Sequence, residues 1–388
     1  MGDTVPGDAM PDDAVTHVLG IDSGGSGVRV AVARADAPGS SAEQPPAWSS
    51  SPTWPPPLTW SSATPATVGD RGIDAESLLA RVLPAARELL REAGARRLGA
   101  VCVGAAGMAT LGDDLRARLP DALADAFGVR RLALAADAVT AYAGALGQRP
   151  GAVVAAGTGL IALGAVPEGF VGGLGGTYGE SSTGGASGTD ATATGATATG
   201  GDTRWATGGW RRADGWGHLL GDCGGGAWIG RAGLEAAMRA YDGRAGGSKP
   251  LLARLEAVFG PATGLPGQLY PRPDRPAVLA SFAPEVGRCA GEDPVAGAIL
   301  RAAARHIAEA AEAVCPRLES SEVALTGGLF RMGAPLLTPV REELAARLPG
   351  VRVTEAAGDP LDGALCVAAA LAADGLRLPR DPALLSIV

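Results

Sequence analysis

A glycine-rich turn between two apolar strands occurs twice in this chain, and it constrains the architecture that the remaining residues must complete. The first copy, THVLGIDSGGSGVRVAVAR (16–34), runs from an apolar stretch into Asp22, Ser23, Gly24, Gly25, Ser26 and Gly27, then leaves as a strand alternating Val28, Val30 and Val32. The second copy, GAVVAAGTGLIALGAV (151–166), passes in the same way through Gly157, Thr158 and Gly159. With no Cβ in the way, the backbone N–H groups of such turns can gather around an anion. Two of them, one heading each half of the chain, would clamp a polyphosphate from both sides. At 388 residues the chain is long enough for two domains of ordinary size, each with its own core.

Composition narrows the chemistry. The net charge of −8, with no basic stripe, argues against a nucleic-acid partner. The start, MGDTVPGDAMPDDAV, lacks both the basic and the apolar region of a signal peptide. No apolar stretch reaches membrane-spanning length unbroken, so the expectation is a cytoplasmic protein without a membrane partner. The five cysteines (Cys102, Cys223, Cys289, Cys315 and Cys366) show no metal-binding or redox spacing, which fits reduced, buried thiols. Lys249 is the only lysine and lies in GGSKP, so neither a P-loop lysine nor a protein-kinase strand lysine is available to bind phosphate. There is no asparagine at all.

Along the chain, residues 1–15 read as a disordered tail. A first unit spans 16–150. It contains a Pro/Ser/Trp-rich stretch (41–65) that is incompatible with a regular helix and reads as a surface excursion, its Trp48, Trp54 and Trp60 free to cover a cleft or a neighbouring subunit. The spacing of Leu78, Leu79, Val82, Leu83, Leu89 and Leu90 predicts an amphipathic helix from Asp74, kinked at Pro84. A strand (LGAVCVG), a glycine turn (Gly104 to Gly107), a helix near Asp113 to Phe127 and a strand (RLALAAD) follow. The second unit, 151–359, carries a Gly/Ala/Ser/Thr tract at 166–203 that reads as a flexible insertion. Helices are expected over Ile229 to Tyr241 and Ala296 to Cys315, and a strand at EVALTGG. The terminal GALCVAAALAA is a small-residue helix that packs back on the first unit, so 360–388 completes it. Alternation of strands and helices indicates an α/β class.

Four places carry chemistry. Asp22 opens the first phosphate turn; a carboxylate there repels phosphate unless a cation intervenes, which suits a Mg²⁺ ligand acting through water, or else it caps the turn. Asp137 ends a strand and starts a helix, where a carboxylate in an α/β fold faces the ligand crevice; it can serve as a general base toward a hydroxyl attacking a γ-phosphate, or as an N-cap. In RRADGWGHLLGDCGGGAWIG, Trp216 and Asp222 are held by glycines, the composition of a sugar cradle, although a core tryptophan beside a helix cap fits as well. LTGGLF places Gly327 and Gly328 directly after a strand, where an adenine ring can lie against backbone or a plain turn can form.

Together, GIDSGGSGVRVAV, LALAADAVTAYAGAL, VVAAGTGLIALG, GWGHLLGDCGGGAWIG, LTGGLF and the terminal GAL resemble the N-acetylglucosamine kinase/BadF–BadG-type ATPase family of the actin–hexokinase superfamily, in a flavour most like the actinobacterial glucosamine kinases. The resemblance runs from about His17 to Ala370. It implies two actin-like (ribonuclease H-like) α/β domains with a cleft between them, ATP and Mg²⁺ as cofactors, and an ATP-dependent hexosamine kinase acting on the 6-hydroxyl of D-glucosamine, as monomer or homodimer. It further implies that Asp22 to Gly27 form the first phosphate loop, Gly157, Thr158 and Gly159 the second, Asp137 the base, Gly327 and Gly328 the adenosine loop, and Trp216, Gly217 and Asp222, with Gly215 and Gly107 nearby, the sugar site. The family's usual GDEGS is GDCGG here, and its sugar-contacting asparagine has no counterpart. Asp214 is placed to offer negative charge to a 2-ammonium group. N-acetylglucosamine kinase is the alternative; a dehydratase-activating ATPase would need an iron–sulfur cysteine pair, and a sugar sensor would need a DNA-binding segment.

Overall fold

The computed structural model of the chain describes residues 16–25, 27–35, 56–69, 71–95, 97–169, 205 and 208–388. The expected tail, Ser26, Trp48, Trp54 and most of the expected insertion lie outside the described residues. The first half contains β1 (His17–Gly24), β2 (Gly27–Arg34), β3 (Leu58–Ser62), the short β4 (Val68–Gly69) and β5 (Gly72–Ile73), α1 (Ala75–Glu92), β6 (Leu98–Ala105), α2 (Met108–Leu111), α3 (Asp113–Phe127), β7 (Leu132–Ala136) and α4 (Asp137–Leu146). The second contains β8 (Gly151–Ala156), β9 (Leu160–Val166), β10 (Gly209–Asp214), α5 (Gly226–Tyr241), α6 (Lys249–Phe259), α7 (Leu265–Leu269), α8 (Arg275–Ser281), α9 (Ala283–Cys289), α10 (Pro294–Val314), β11 (Glu322–Thr326), α11 (Ala334–Arg347) and β12 (Arg352–Glu355). The chain ends with α12 (Pro360–Ala372) and β13 (Leu385–Ile387).

Beside the small β4–β5 pair, two large sheets form among the described residues, and one plan underlies both. The first has the order β13-β7-β6-β1-β2-β3, the second β10-β9-β8-β11-β12. In each, a glycine hairpin (β1–β2, β8–β9) supplies the antiparallel centre, and two parallel strands are added on one side of it. The mixed α/β architecture follows from this repetition. Parallel strands need crossover helices, and α1 and α3 supply them in the first sheet. Helix α1 starts at the N-cap Asp74, whose carboxylate accepts the Ser77 N–H at 2.7 Å, and it continues through Pro84 as one element.

The Pro/Ser/Trp-rich stretch is not wholly a surface excursion. Its Leu58–Ser62 part pairs antiparallel with β2, and Trp60 packs against the core. The close approach of β3 explains Gly27. Its φ is 139°, and a Cβ there would lie 2.0 Å from the Ser62 carbonyl oxygen.

Between the sheets, α4 packs along α12, and both helices are buried over nearly their whole length. Glycines permit the contact: a Cβ on Gly363 would lie 1.8 Å from the Thr140 carbonyl oxygen, and one on Gly144 would lie 2.1 Å from that of Asp359. Helix α12 also covers β1 and β6, so Leu365 presses against Gly20. Burial pushes the neighbouring Cys366 thiol up to about 12. This helix pair carries the core of the first sheet across to Val153, Leu163 and Ala324 of the second. No helix among the described residues is long and apolar enough to cross a membrane.

Candidate functional site

The C-terminal ends of the central strands converge on a cleft with three lobes. The first, a cavity of ≈ 610 Å³, is bounded by Gly157, Thr158, Gly226, Arg288, Gly328 and Arg331 among others. The second, of ≈ 400 Å³, is bounded by Gly107, Thr110, Asp137, Gly157, Thr158, Gly159, Arg212, Gly215, Asp222 and Gly327. Gly157 and Thr158 line both, so the second glycine turn is the partition between them. The third, of ≈ 730 Å³, is bordered by Arg29, Gly327, Gly328, Arg331 and Asp359.

Asp137 occupies the floor of the second lobe. Its own backbone is already helical and Ala136 is the N-cap, so the carboxylate does not serve as the cap; one oxygen accepts the Ala138 N–H at 2.8 Å. The side chain is open to solvent in the cleft while protein surrounds it on the other sides. That confinement holds its pKa above the usual carboxylate value, the Ala138 N–H opposes the rise, and the negative charge of Asp22 adds to it. Asp22 and Asp137 therefore feel each other's charge from the ends of β1 and β7, with β6 between them.

Asp22 sits near the end of β1, where its Oδ2 accepts two hydrogen bonds from Arg29, at 3.0 and 2.7 Å. Arg29 also pairs with Asp359 at the N-terminus of α12. Burial raises the pKa of Asp22, and the Arg29 guanidinium works against that rise. The Oδ1 oxygen has no protein partner among the described residues. No cluster of three or more metal-ligating side chains exists among them. One buried carboxylate with a free oxygen, facing a second carboxylate, suits a Mg²⁺ ion that takes its other ligands from water and phosphate oxygens. In the same turn, Gly24 and Gly25 have open space where a Cβ would be, and Ser23 is buried with its hydroxyl unpaired among the described residues.

The second turn is built to be bare on one side. The carbonyls of Gly157 and Thr158 accept the Gly226 and Ala227 N–H groups, each at 2.8 Å, which locks the turn to the start of α5. The face of Gly157 toward the cleft stays empty. Gly225 packs on Gly159 so tightly that the serine usual in the family's GDEGS has no room: a Cβ would lie 2.7 Å from the Gly159 carbonyl carbon.

The segment 214–222 divides its labour. Asp214 and Asp222 both adopt left-handed backbone, with φ of 60° and 56°. Both oxygens of Asp214 accept backbone N–H groups, from Asp222 and Cys223. Asp222 accepts the Gly217 N–H at 3.3 Å and lies against Gly159, facing the second lobe. Burial raises its pKa, with the Gly217 N–H opposing and Asp214 adding to the rise. Trp216 does not line the lobe. Its ring is 63 % exposed and is covered by the Arg212 guanidinium at 3.9 Å from the ring centre.

The structure thus gathers Asp137, Gly107, Gly157 to Gly159, Gly215, Asp222 and Gly327 around one lobe, with Gly328 in the adjoining lobes; Asp22 to Gly25 line none of the three, and Asp22 is tied to the third through Arg29. Arginines 29, 212, 288 and 331 also border the cleft and carry no motif that marks them. The nearest signal is that Arg331 follows Gly328 by three residues.

Residues 203–372 match the sequence model of the BadF/BadG/BcrA/BcrD ATPase family. No curated protein matches the chain by sequence. A solved structure from Chromobacterium violaceum, named as an N-acetylglucosamine kinase, superposes with a TM-score of 0.61 at 25% identity, covering 90% of this chain and 98% of that one. One from Porphyromonas gingivalis under the same name gives 0.54 at 15% identity, covering 90% and 97%. A ROK family transcriptional regulator, a homologue of the E. coli MLC protein, gives 0.52 at 14%, covering 93% and 79%. The chain therefore has the two-domain, actin-like α/β fold, and its residues 203–372 are similar to the BadF/BadG/BcrA/BcrD ATPase family.

Proposed function

We propose that the protein is an ATP-dependent kinase that phosphorylates the 6-hydroxyl of an amino sugar. The observation that carries this reading is the position of Asp137. It stands in a lobe of sugar size, against the Gly157–Thr158 partition that also walls the larger lobe. A nucleotide in the larger lobe, its base near Leu329 and Met332 and its phosphates on the two glycine turns, would direct its γ-phosphate toward Asp137. Asp137, ionised, accepts the proton of the attacking hydroxyl and orients its oxygen. Asp22 would hold Mg²⁺, which supplies charge neutralisation on the phosphates. Asp222 is placed to accept hydrogen bonds from sugar hydroxyls, with Gly107 and Gly215 bounding the same space.

The choice of amino sugar turns on two side chains. Glucosamine would set a 2-ammonium against Asp214, but both oxygens of Asp214 already accept backbone N–H groups. The cation that lines the lobe is Arg212. These facts favour an N-acylated amino sugar over glucosamine, and so does the likeness to the Chromobacterium violaceum protein.

Removing the base tests the reading. Asp137→Ala should lower kcat by about 10²–10⁴-fold in a coupled ADP-release assay, with sugar binding still measurable by calorimetry. More than a few per cent of wild-type turnover in that variant would show that Asp137 is not the base.

A further inference from the structure

Arg212 is a cation without a counter-ion in the acceptor lobe. It lies on the edge strand β10, borders the same space as Asp137 and Asp222, and makes no ion pair or hydrogen bond among the described residues. The carboxylates of Asp137 and Asp222 line the same lobe but form no direct ion pair with it among the described residues. Asp214 is capped by the backbone N–H groups of Asp222 and Cys223, and Asp222 takes the Gly217 N–H. What holds Arg212 is the Trp216 ring beneath it. A guanidinium lying on an aromatic face keeps its in-plane N–H donors free at the edge, oriented by a contact that does not use them. Such a fork matches the two oxygens of a carboxylate.

We propose that Arg212, carried by Trp216, is a specificity residue that reads a carboxylate on the acceptor. On the reading above, the substrate class is then an N-acylated amino sugar carrying an acidic substituent, held on the wall that β10 supplies. A neutral acyl oxygen would engage only part of the fork and leave the full charge unpaired.

The test uses the full chain and three probes: N-acetylglucosamine, its 3-O-carboxymethyl ether, and the methyl ester of that ether. Hydrogen bonds to charged groups correspond to roughly ten- to hundredfold in affinity, so the free acid should show a KM lower than its ester by about that factor, at similar kcat. Arg212→Gln should remove the difference between acid and ester, raising the KM of the acid by more than it raises that of N-acetylglucosamine. Arg212→Lys should restore part of it, since charge remains but the planar fork does not. Equal KM values for acid and ester, or a uniform KM increase for all three sugars in Arg212→Gln, would overturn the proposal. Calorimetry of the acid and ester with wild type and Arg212→Gln separates this idea from its parent: binding that depends on the carboxylate and on Arg212 supports it even if no phosphate is transferred, and loss of that dependence overturns it.

Discussion

Asp137 is held in a place where its charge is unfavourable, and that has a measurable consequence for stability. Its folded pKa is raised, so the native state binds the proton more tightly than the unfolded chain does, where a carboxylate titrates near 3.8. Below that value the group is protonated in both states and has no effect on the balance. As pH rises past it towards the folded pKa, the unfolded state ionises first, and stability falls until the folded group ionises too. Near neutral pH the ionised Asp137 therefore costs stability that a neutral isostere does not. Asp137→Asn should melt above wild type near neutral pH, and the difference should close on acidification to about pH 3. A variant no more stable than wild type near neutrality would contradict a carboxylate whose charge the cleft disfavours. At this scale the sequence was informative only where geometry is local. Asp137 can be found because it ends one strand and starts one helix. Arg29 and Arg212 cannot, because each acquires its role from a partner set by sheet register: Arg29 meets Asp359 across 330 residues, and Arg212 borders the lobe only once β10 has paired with β9. Asp214 misleads for the opposite reason, as its local turn takes up both oxygens that its position seemed to offer a ligand.

Among the elements, the α4–α12 contact is the part least tolerant of change. Gly144 and Gly363 let two helices approach until side chain meets backbone, and the chain compensates with alanine-rich surfaces around them. Gly363→Ala would drive a methyl group into the Thr140 carbonyl, a backbone atom that cannot swing aside. The expected loss is about 1–3 kcal/mol or more, the usual range for overpacking, read as a lower denaturant midpoint with an unchanged m-value. Gly267→Ala inside α7 is the control for backbone conformation, since its backbone is not left-handed and no atom lies within 4 Å of its Cβ position. A midpoint for Gly363→Ala no lower than that of this control would show that the helices can separate freely. The long helices α1, α3, α5 and α10 are legible from apolar periodicity because each buries one defined face, and the strands β6, β7 and β11 from short apolar runs, because consecutive residues on both faces are buried. β3 is not, since five residues of strand are hidden among prolines, and β10 is not, since all six of its residues are half-buried and show no alternation. The short helices between α6 and α9 are too brief to display a period.

On the scale of the whole molecule, the duplicated sheets make the cleft a joint. One wall comes from the first half through Gly107, Thr110 and Asp137, with Leu384 from the chain's end; the other comes from the second through Gly157 to Ile161, Arg212 and Asp222. The chain crosses between the halves only twice near this site, after α4 and before α12, and those two helices are packed on each other. Rotation about that pair is therefore the motion that alters the width of the lobes without breaking either sheet. A kinase needs such a motion, because water in the second lobe would compete with the sugar hydroxyl for the phosphoryl group. A sugar alone touches mainly the second lobe and a nucleotide alone mainly the first, but both press on the shared Gly157–Thr158 partition and on Asp137 above it. The expectation is that an unreactive ATP analogue with Mg²⁺ and an accepted amino sugar together reduce the radius of gyration in solution scattering by more than the sum of their separate effects. By the same closure, an unphosphorylatable 6-deoxy sugar should suppress the hydrolysis of ATP itself. Independent, additive changes in scattering, with hydrolysis rising when the 6-deoxy sugar binds, would mean that the two halves do not close as a joint around both ligands.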